Sequence, residues 1–494
     1  MHRVNCTLKS TVYNLNHQVN HNNRSAIIRS PVISEMETPA SDLTELGKDA
    51  MKRLSTRLNI FRKPTALIIL CVISAMSQAV APQEEQMDRS GDLAYRPIFS
   101  VDLAGISVAN NLFGRDRQRR GEHATSWYES VVNFGGAGFW DLDKSAVWAE
   151  VSVLGISSGG YDASISNPDS KYVNRLELHE AVVGWQSGNM FDMGYNAVNL
   201  AIGRQNYRVG RSFLIAKGGA DGGKRGSLWI GPHSSWYNSA TADIDINKNA
   251  SVNVFYLSRD DLPYSDTHLA GINTDLKFGD NWLFGAIIVD VFASDDKDRR
   301  NTFDASVRAT YNADNNPGWG MDTQYVWQHR GALNLQKNAW FTEGSWNFGG
   351  PFSPRLSYRY ASFDNDYDPL FYSSTTWGTW YQGEYLGQYI LTNTNLASHQ
   401  AKLVMAPSKE WTLSVLYYYF LANTANGGQL TDSFEPVTDP AFAQEYNLIA
   451  DWRPTDTMKL SFVGAITAPL EGATQWTGGS KTVEYFLLIF SYDF

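Results

Sequence analysis

The sequence predicts an all-β chain that closes into a transmembrane antiparallel β-barrel of about 18 strands, with long extracellular loops and short periplasmic turns. Three observations carry this. Period-two alternation of apolar and polar residues recurs in segments of about ten to fifteen residues, the length a tilted membrane strand needs. The connections between these segments alternate between short, turn-rich links and long ones. The last segment sets Glu484, Phe486, Leu488, Phe490, Tyr492 and Phe494 on one face and Val483, Tyr485, Leu487, Ile489, Ser491 and Asp493 on the other, so the strand ends on an aromatic carboxyl terminus.

Composition agrees. Aromatic residues make up 13 % of the chain while mean hydropathy is only -0.32. That pairing excludes a bundle of membrane helices, which needs runs of about 20 apolar residues, and suits a barrel whose apolar positions are diluted by alternation. One apolar run stands out, Thr65 to Met76, preceded by Lys52, Arg53, Arg57, Arg62 and Lys63 and followed by Ser77-Gln78-Ala79. This is the order of a secretory signal, too short at about twelve apolar residues to span roughly 30 Å of hydrocarbon. The expected organisation is an upstream extension over 1–50 with Met51 as start, a signal peptide over 51–79, a periplasmic tail over 80–95 and the barrel over 96–494. Cys6 and Cys71 fall in the part expected to be removed, so no disulfide or thiol chemistry is expected. Removing residues 1–79 takes ten Lys/Arg from 41 and five Asp/Glu from 51, leaving 31 basic against 46 acidic residues. A net charge of about -15 disfavours nucleic acid as a partner.

Taken in order, strands are expected near 96–107, 125–139, 145–157, 172–186, 197–206, 236–246, 251–259, 268–278 and 282–293. The second half supplies 301–312, 320–330, 338–348, 354–364, 396–406, 410–421, 442–453, 457–468 and 482–494. Short links such as Asp141-Leu142-Asp143-Lys144, Gly279-Asp280-Asn281, Gly349-Gly350-Pro351 and Pro407-Ser408-Lys409 carry turn residues. Long links cover 108–124, 158–171, 207–235, 365–395, 422–441 and 469–481. Alternation also fixes which face is wet. Phe303, Ala305, Val307, Ala309 and Tyr311 share one side of their segment, and Thr302, Asp304, Ser306, Arg308 and Thr310 share the other. Leu356, Tyr358 and Tyr360 likewise oppose Arg355, Ser357 and Arg359, and Leu176 and Leu178 oppose Arg175, Glu177 and His179. An Arg or Lys facing lipid at mid-membrane costs about 2–4 kcal/mol, so the charged sets face a polar lumen, and about eighteen strands leave a conduit unless loops plug it.

The Phe-terminated final segment resembles the terminal strand by which bacterial outer-membrane proteins are recognised for insertion. A narrower resemblance rests on Ile202-Gly203-Arg204-Gln205, Val209-Gly210-Arg211, Tyr358-Arg359-Tyr360-Ala361, Asp368-Pro369-Leu370-Phe371-Tyr372 and Trp377-Gly378-Thr379-Trp380-Tyr381-Gln382-Gly383-Glu384. Together these resemble the alginate-export family of outer-membrane porins. The resemblance implies an eighteen-stranded conduit for anionic or saccharide solutes. Arg211 stands where other members often carry an acidic residue.

The window 204–235 holds Arg204, Arg208, Arg211, Lys217, Lys224 and Arg225 against Asp221 alone, in an otherwise acidic chain. We expect this loop to fold into the mouth or lumen as an electropositive constriction, because guanidinium forks pair with carboxylates. The competing reading puts these cations on lipopolysaccharide phosphates at the rim, or has them neutralise neighbouring acidic loops. Arg204 shares parity with Leu200 and Ile202, so it must snorkel or follow a bulge. Lumen arginines Arg175, Arg308, Arg355 and Arg359 come with Glu150, Glu177, Asp304, Asp322 and Glu445, as a selective path or as structural ion pairs. Between Ala361 and Ala401 there is no Lys or Arg, yet Trp377, Trp380, Tyr381, Tyr385 and Tyr389 crowd there. These rings could stack on a sugar, with Trp380 and Tyr381 as the candidates, or serve as girdle or packing.

Metal and catalytic signals are weak. Asp364-Asn365-Asp366-Tyr367-Asp368 has the spacing of half a calcium loop but lacks its glycine and distal glutamate. His123, His179, His268, His329 and His399 are scattered singly, and His233-Ser234-Ser235 falls in an external loop with no nucleophile elbow. The expectation is therefore a porin in the bacterial outer membrane, passing small or polymeric anionic or saccharide solutes with no catalytic residue, metal or cofactor. Its partners are outer-membrane lipid, lipopolysaccharide, the solute and unidentified periplasmic export machinery. The alternative is a plugged barrel acting as a surface enzyme or adhesin.

Overall fold

The computed structural model describes residues 88–90, 93–115, 124–161, 172–191, 193–259, 266–312, 316–425 and 437–494. The extension, the signal segment with both cysteines, the tail as far as residue 87, His123 and large parts of the 108–124, 158–171 and 422–441 links lie outside them.

Alternation becomes strand wherever it was read. A stub, β1 (Asp88–Ser90), precedes β2 (Leu93–Ala109), β3 (Ala124–Asp141), β4 (Ala146–Gly160), β5 (Tyr172–Gln186) and β6 (Val198–Gln205). Next come β7 (Trp236–Asn247), β8 (Ala250–Ser258), β9 (Thr267–Phe278), β10 (Trp282–Ser294), β11 (Thr302–Tyr311), β12 (Gly318–Arg330) and β13 (Leu335–Asn347). The chain ends with β14 (Arg355–Phe363), β15 (Leu396–Met405), β16 (Trp411–Ala422), β17 (Ala441–Thr455), β18 (Met458–Pro469) and β19 (Val483–Asp493). Each of β2 to β19 pairs antiparallel with its sequence neighbours, and β19 pairs back onto β2, from Glu484 opposite Ala109 to Asp493 opposite Ser100. The sheet therefore closes at eighteen strands. Closure leaves no backbone edge to meet hydrocarbon, which an open sheet would. The barrel starts at Leu93, earlier than position 96, because Asp88–Ser90 folds back to pair with Leu93–Tyr95.

The two faces divide as alternation requires. Leu176, Leu178, Leu356, Tyr358, Phe462 and Ile466 are exposed outward, while Thr302, Asp304, Ser306 and Ser461 are buried inside. At the turn end, aromatic rings meet across neighbouring strands: Trp282 against Tyr311 at 4.9 Å, Tyr311 on Trp319 at 4.0 Å and Trp411 on Trp452 at 5.8 Å. A ring layer of this kind is the interfacial girdle of a membrane barrel. Architecture and surface are those of an outer-membrane barrel.

One expectation needs correcting. The lumen is not polar along its whole length, because the 206–235 and 364–395 loops fold into it and build an apolar core there. Phe213, Ile215, Phe371, Trp380, Tyr385 and Leu386 from these loops are buried against the inward faces of the strands, including Phe255, Val289, Phe341, Leu416, Tyr418 and Leu487. This explains why the inward face of β19, with Val483, Tyr485, Leu487 and Ile489, is as apolar as its lipid face. Burying each such side chain stabilises the infolded state by about 1.5–3 kcal/mol, which is how two irregular segments remain inside a barrel.

Candidate functional site

The two infolded loops hold each other first. Ile215 and Phe371 form an isolated parallel bridge. Around it, Phe371 N–H donates to Leu214 O at 2.9 Å, Ala216 and Lys217 N–H donate to Phe371 O at 2.9 and 3.0 Å, and Ser373 N–H donates to Ser212 O at 3.1 Å. Phe213 meets Trp380 at 4.6 Å between ring centroids, and Trp229 meets Trp377 at 5.8 Å. The unpaired backbone of such loops must find acceptors when buried, and wall glutamates supply them. Glu129 on β3 accepts from Trp229 N–H at 2.9 Å and Ile230 N–H at 2.8 Å. Glu445 on β17 accepts from Tyr385 N–H at 3.1 Å and Leu386 N–H at 2.9 Å. Each loop is thus clamped by one inward carboxylate that takes two consecutive backbone donors.

The cations of the 204–235 window lie in different surroundings. Arg204 lies at a register shift of β6 against β7, where Gly203 pairs with Ser239 and Gln205 with Trp236, so that Tyr237 and Asn238 both stand against it and its guanidinium lies 5.6 Å over the Tyr237 ring. Gly203 sits at φ +132°, and a Cβ there would strike the Ala181 carbonyl oxygen. The buried guanidinium of Arg204 donates Nε–H to His179 O at 3.0 Å and to Ser235 Oγ at 3.2 Å, which makes it a wall brace. Arg225 is buried on Glu177 at 2.9 Å. Lys217 pairs with Asp221. Arg208 is half-buried and makes no ion pair among the described residues. Arg211 reaches Asp322 on β12, and that carboxylate raises the guanidinium's affinity for its proton further still.

His233 joins two of these pairs. Its Nδ1 lies 2.6 Å from Asp221 Oδ1 and its Nε2 lies 2.9 Å from Glu177 Oε2. Burial works against charge on the ring, but Asp221 and Glu177 outweigh it and hold the imidazole above its ordinary range. Burial likewise pushes Asp221 up, yet Lys217 and then His233 keep its carboxyl well below the usual range. Lys217, Asp221, His233, Glu177 and Arg225 therefore form one buried chain of alternating sign from loop to wall, and Arg175 joins it at Glu177 at 2.5 Å.

On the opposite wall, cations outnumber acids. Arg355 lies 3.7 Å and Arg359 3.9 Å from Glu343, and Lys402 on β15 feels Glu343 together with Arg359, Arg211 and Arg355. Arg359 is buried, donates to Gly378 O at 2.7 Å and lies 4.8 Å from the Trp380 ring. Lys459 pairs with Asp451 at 3.3 Å and stands 5.5 Å over Trp377. Lys402 donates to Trp377 O at 2.7 Å. Arg308 is held by Asp275 and by Asn273 at 2.8 Å. Asp304 is buried and accepts from Gln328 at 3.0 Å.

The sugar-stacking candidates also separate. Trp380 is buried and donates Nε1–H to Arg211 O at 2.6 Å, so it packs the loop and presents no face to a solute. Tyr381 lies beside Tyr372 at 5.4 Å and Lys217 at 5.9 Å. The partly exposed indole is Trp377, and its Nε1–H donates to Asp451 at 2.9 Å. In the half-calcium spacing, Asp364 Oδ2 accepts from Asn338 N–H at 2.7 Å, and the Arg299 fork donates to both oxygens of Asp368 at 2.7 Å. Sequence reading did not single out Glu129, Glu343, Lys402, His233 as a link, or Trp229. Inward parity was the available signal for the first three, and nothing in the sequence marks the last two.

No family model and no curated protein matches the sequence. Solved structures do resemble the fold. The outer membrane protein OprD from Pseudomonas aeruginosa is similar over 86 % of this chain and 97 % of its own, with a TM-score of 0.54 and 9 % identity. Pseudomonas aeruginosa OccK5 (OpdH) gives 80 % and 97 %, a TM-score of 0.50 and 10 % identity. Acinetobacter baumannii OccAB2 gives 81 % and 98 %, a TM-score of 0.51 and 8 % identity. These likenesses are to outer-membrane porins in general and do not show the alginate-export family, and at such identities what this chain shares with OprD and the Occ proteins is the closed eighteen-strand barrel.

Proposed function

We propose that this protein is an outer-membrane channel that passes small anionic solutes through the gap between its infolded loops and the β11–β18 wall. One observation carries the reading. In three ion pairs along this wall the cation is the water-facing partner, whereas Arg359 is buried behind Glu343: side-chain exposure is 36 % for Arg211 against 8 % for Asp322, 32 % for Arg355 against 8 % for Glu343, and 31 % for Lys459 against 8 % for Asp451. The carboxylates stand behind the cations and hold them, so a passing solute meets positive charge first. Low-dielectric walls on both sides strengthen that field, and guanidinium forks match a carboxylate or phosphate group. Passage down a gradient needs no cofactor.

The apolar core in the outer half leaves little room for an extended polymer and favours small solutes over polysaccharide. The same core supports a second reading, a plugged barrel that serves as a surface adhesin or enzyme. Planar-bilayer recording under a salt gradient separates the two. The channel reading expects an anion-selective reversal potential that moves toward zero when Arg211, Arg355 and Lys459 are replaced together by alanine. Silent insertion, or a reversal potential the triple variant leaves unmoved, would overturn it.

A further inference from the structure

We propose that Glu384 and Glu445 form a proton-operated latch that seats the 364–395 loop in the lumen, so that flow through the channel rises as the loop's proton is lost. The inference rests on the channel reading above and concerns its regulation.

Both carboxyl groups are buried. Glu445 is well satisfied: besides Tyr385 and Leu386 N–H, Thr467 Oγ1–H donates to it at 3.1 Å. Its approach depends on Gly383, which opens the π-helical turn Gly383–Gly387 at φ +89°; a Cβ there would stand 2.7 Å from Glu445 Oε1. Glu384 follows in sequence and is poorly satisfied. Its N–H donates to Asn447 Oδ1 at 3.3 Å, but its Oε2 is buried with no hydrogen-bond partner.

Two adjacent buried carboxyls do not both ionise readily. Glu445, with three donors, keeps the charge, and Glu384 keeps the proton. The groups facing Glu384 from the packed elements agree with this: Glu445 and Asp451 on β17 oppose its ionisation, and against them stand Lys402 on β15 and a hydrogen bond from the Gly378 backbone. Tyr418, Tyr389 and Tyr485 also face it, and each is a neutral phenol in this setting. Burial first, then Glu445, pushes the Glu384 carboxyl up to about 8.

The sign follows from linkage. A carboxyl whose affinity for its proton is raised by docking stabilises the docked loop fully below its free value of 4.5, and that stabilisation is lost as pH rises through about 8. Over this window the docking equilibrium weakens by up to roughly tenfold per pH unit, the limit for one proton.

Hydrogen exchange of residues 383–391 in the full-length barrel, corrected for the intrinsic pH dependence of exchange, tests this directly. From about pH 5 to about pH 9, protection in the wild type should fall by up to roughly tenfold per unit, and bilayer conductance should rise in parallel. In E384Q, which keeps the shape and removes the titration, both should stay flat. Protection that does not change with pH in the wild type, or that falls equally in E384Q, overturns the latch. If the barrel carries no current at any pH, the channel reading fails, while the exchange measurement still decides whether the latch exists.

Discussion

Arg225 and Arg355 were both candidates for the same task, and burial separates them. Arg225 is sunk onto Glu177 with His233 alongside, whereas Arg355 reaches partly into water past Glu343. R225A should therefore destabilise the barrel by about 1–3 kcal/mol, below the roughly 3–5 of a buried pair broken outright, because Arg175 and His233 still compensate Glu177. R355A should cost no more than about 1 kcal/mol and should act on selectivity instead. Urea unfolding of the detergent-purified protein measures the first and reversal potentials the second; the reverse order of effects would contradict the assignment. The positions of these arginines were legible in the sequence, since inward parity follows from alternation. Their exposure was not, because it depends on which loop covers which wall.

At the scale of single elements, the β6–β7 pair shows how a register shift accommodates a charge. Strict alternation points Arg204 at lipid, beside Leu200 and Ile202. Gly203, at a φ that side-chain-bearing residues rarely adopt, borders a register shift that sets Tyr237 and Asn238 of β7 against Arg204, and the guanidinium is buried there against the His179 carbonyl, Ser235 and the Tyr237 ring. G203A should strain this bulge by about 1–3 kcal/mol and lower the unfolding midpoint, and an unchanged midpoint would show that the backbone there tolerates a Cβ. The sequence raised the possibility of a bulge through the parity conflict itself. It did not distinguish that from snorkelling, since both satisfy the charge. Trp380 and Trp377 pose a similar ambiguity: two tryptophans in one motif, of which only Trp377 reaches water. Their difference arises from Phe213 and Arg211, contributed by a loop about 170 residues earlier in the chain.

For the whole molecule, barrel and filling are separable. The strands are joined by a continuous ladder from β2 round to β19, and none of those bonds requires the 364–395 loop. Replacing residues 366–393 with a short Gly-Ser turn should leave a folded barrel, visible as heat-modifiable mobility on a gel, and should raise single-channel conductance severalfold because the lumen of eighteen strands is then open. An unaltered conductance would place the constriction elsewhere.

What the sequence determined by itself is the shell: strand number, strand positions within a few residues, which face meets lipid, and at which end the long connections lie. Lipid imposes these locally, since every second residue must be apolar and every backbone group paired, and a rule with period two can be read without knowing distant neighbours. What only the tertiary structure decided is the interior. Ile215 bridges Phe371, Glu129 clamps Trp229, and Glu445 clamps Tyr385 across long stretches of chain. Those contacts follow no repeat, because the loops have no lattice to obey and settle wherever apolar area and backbone donors find partners.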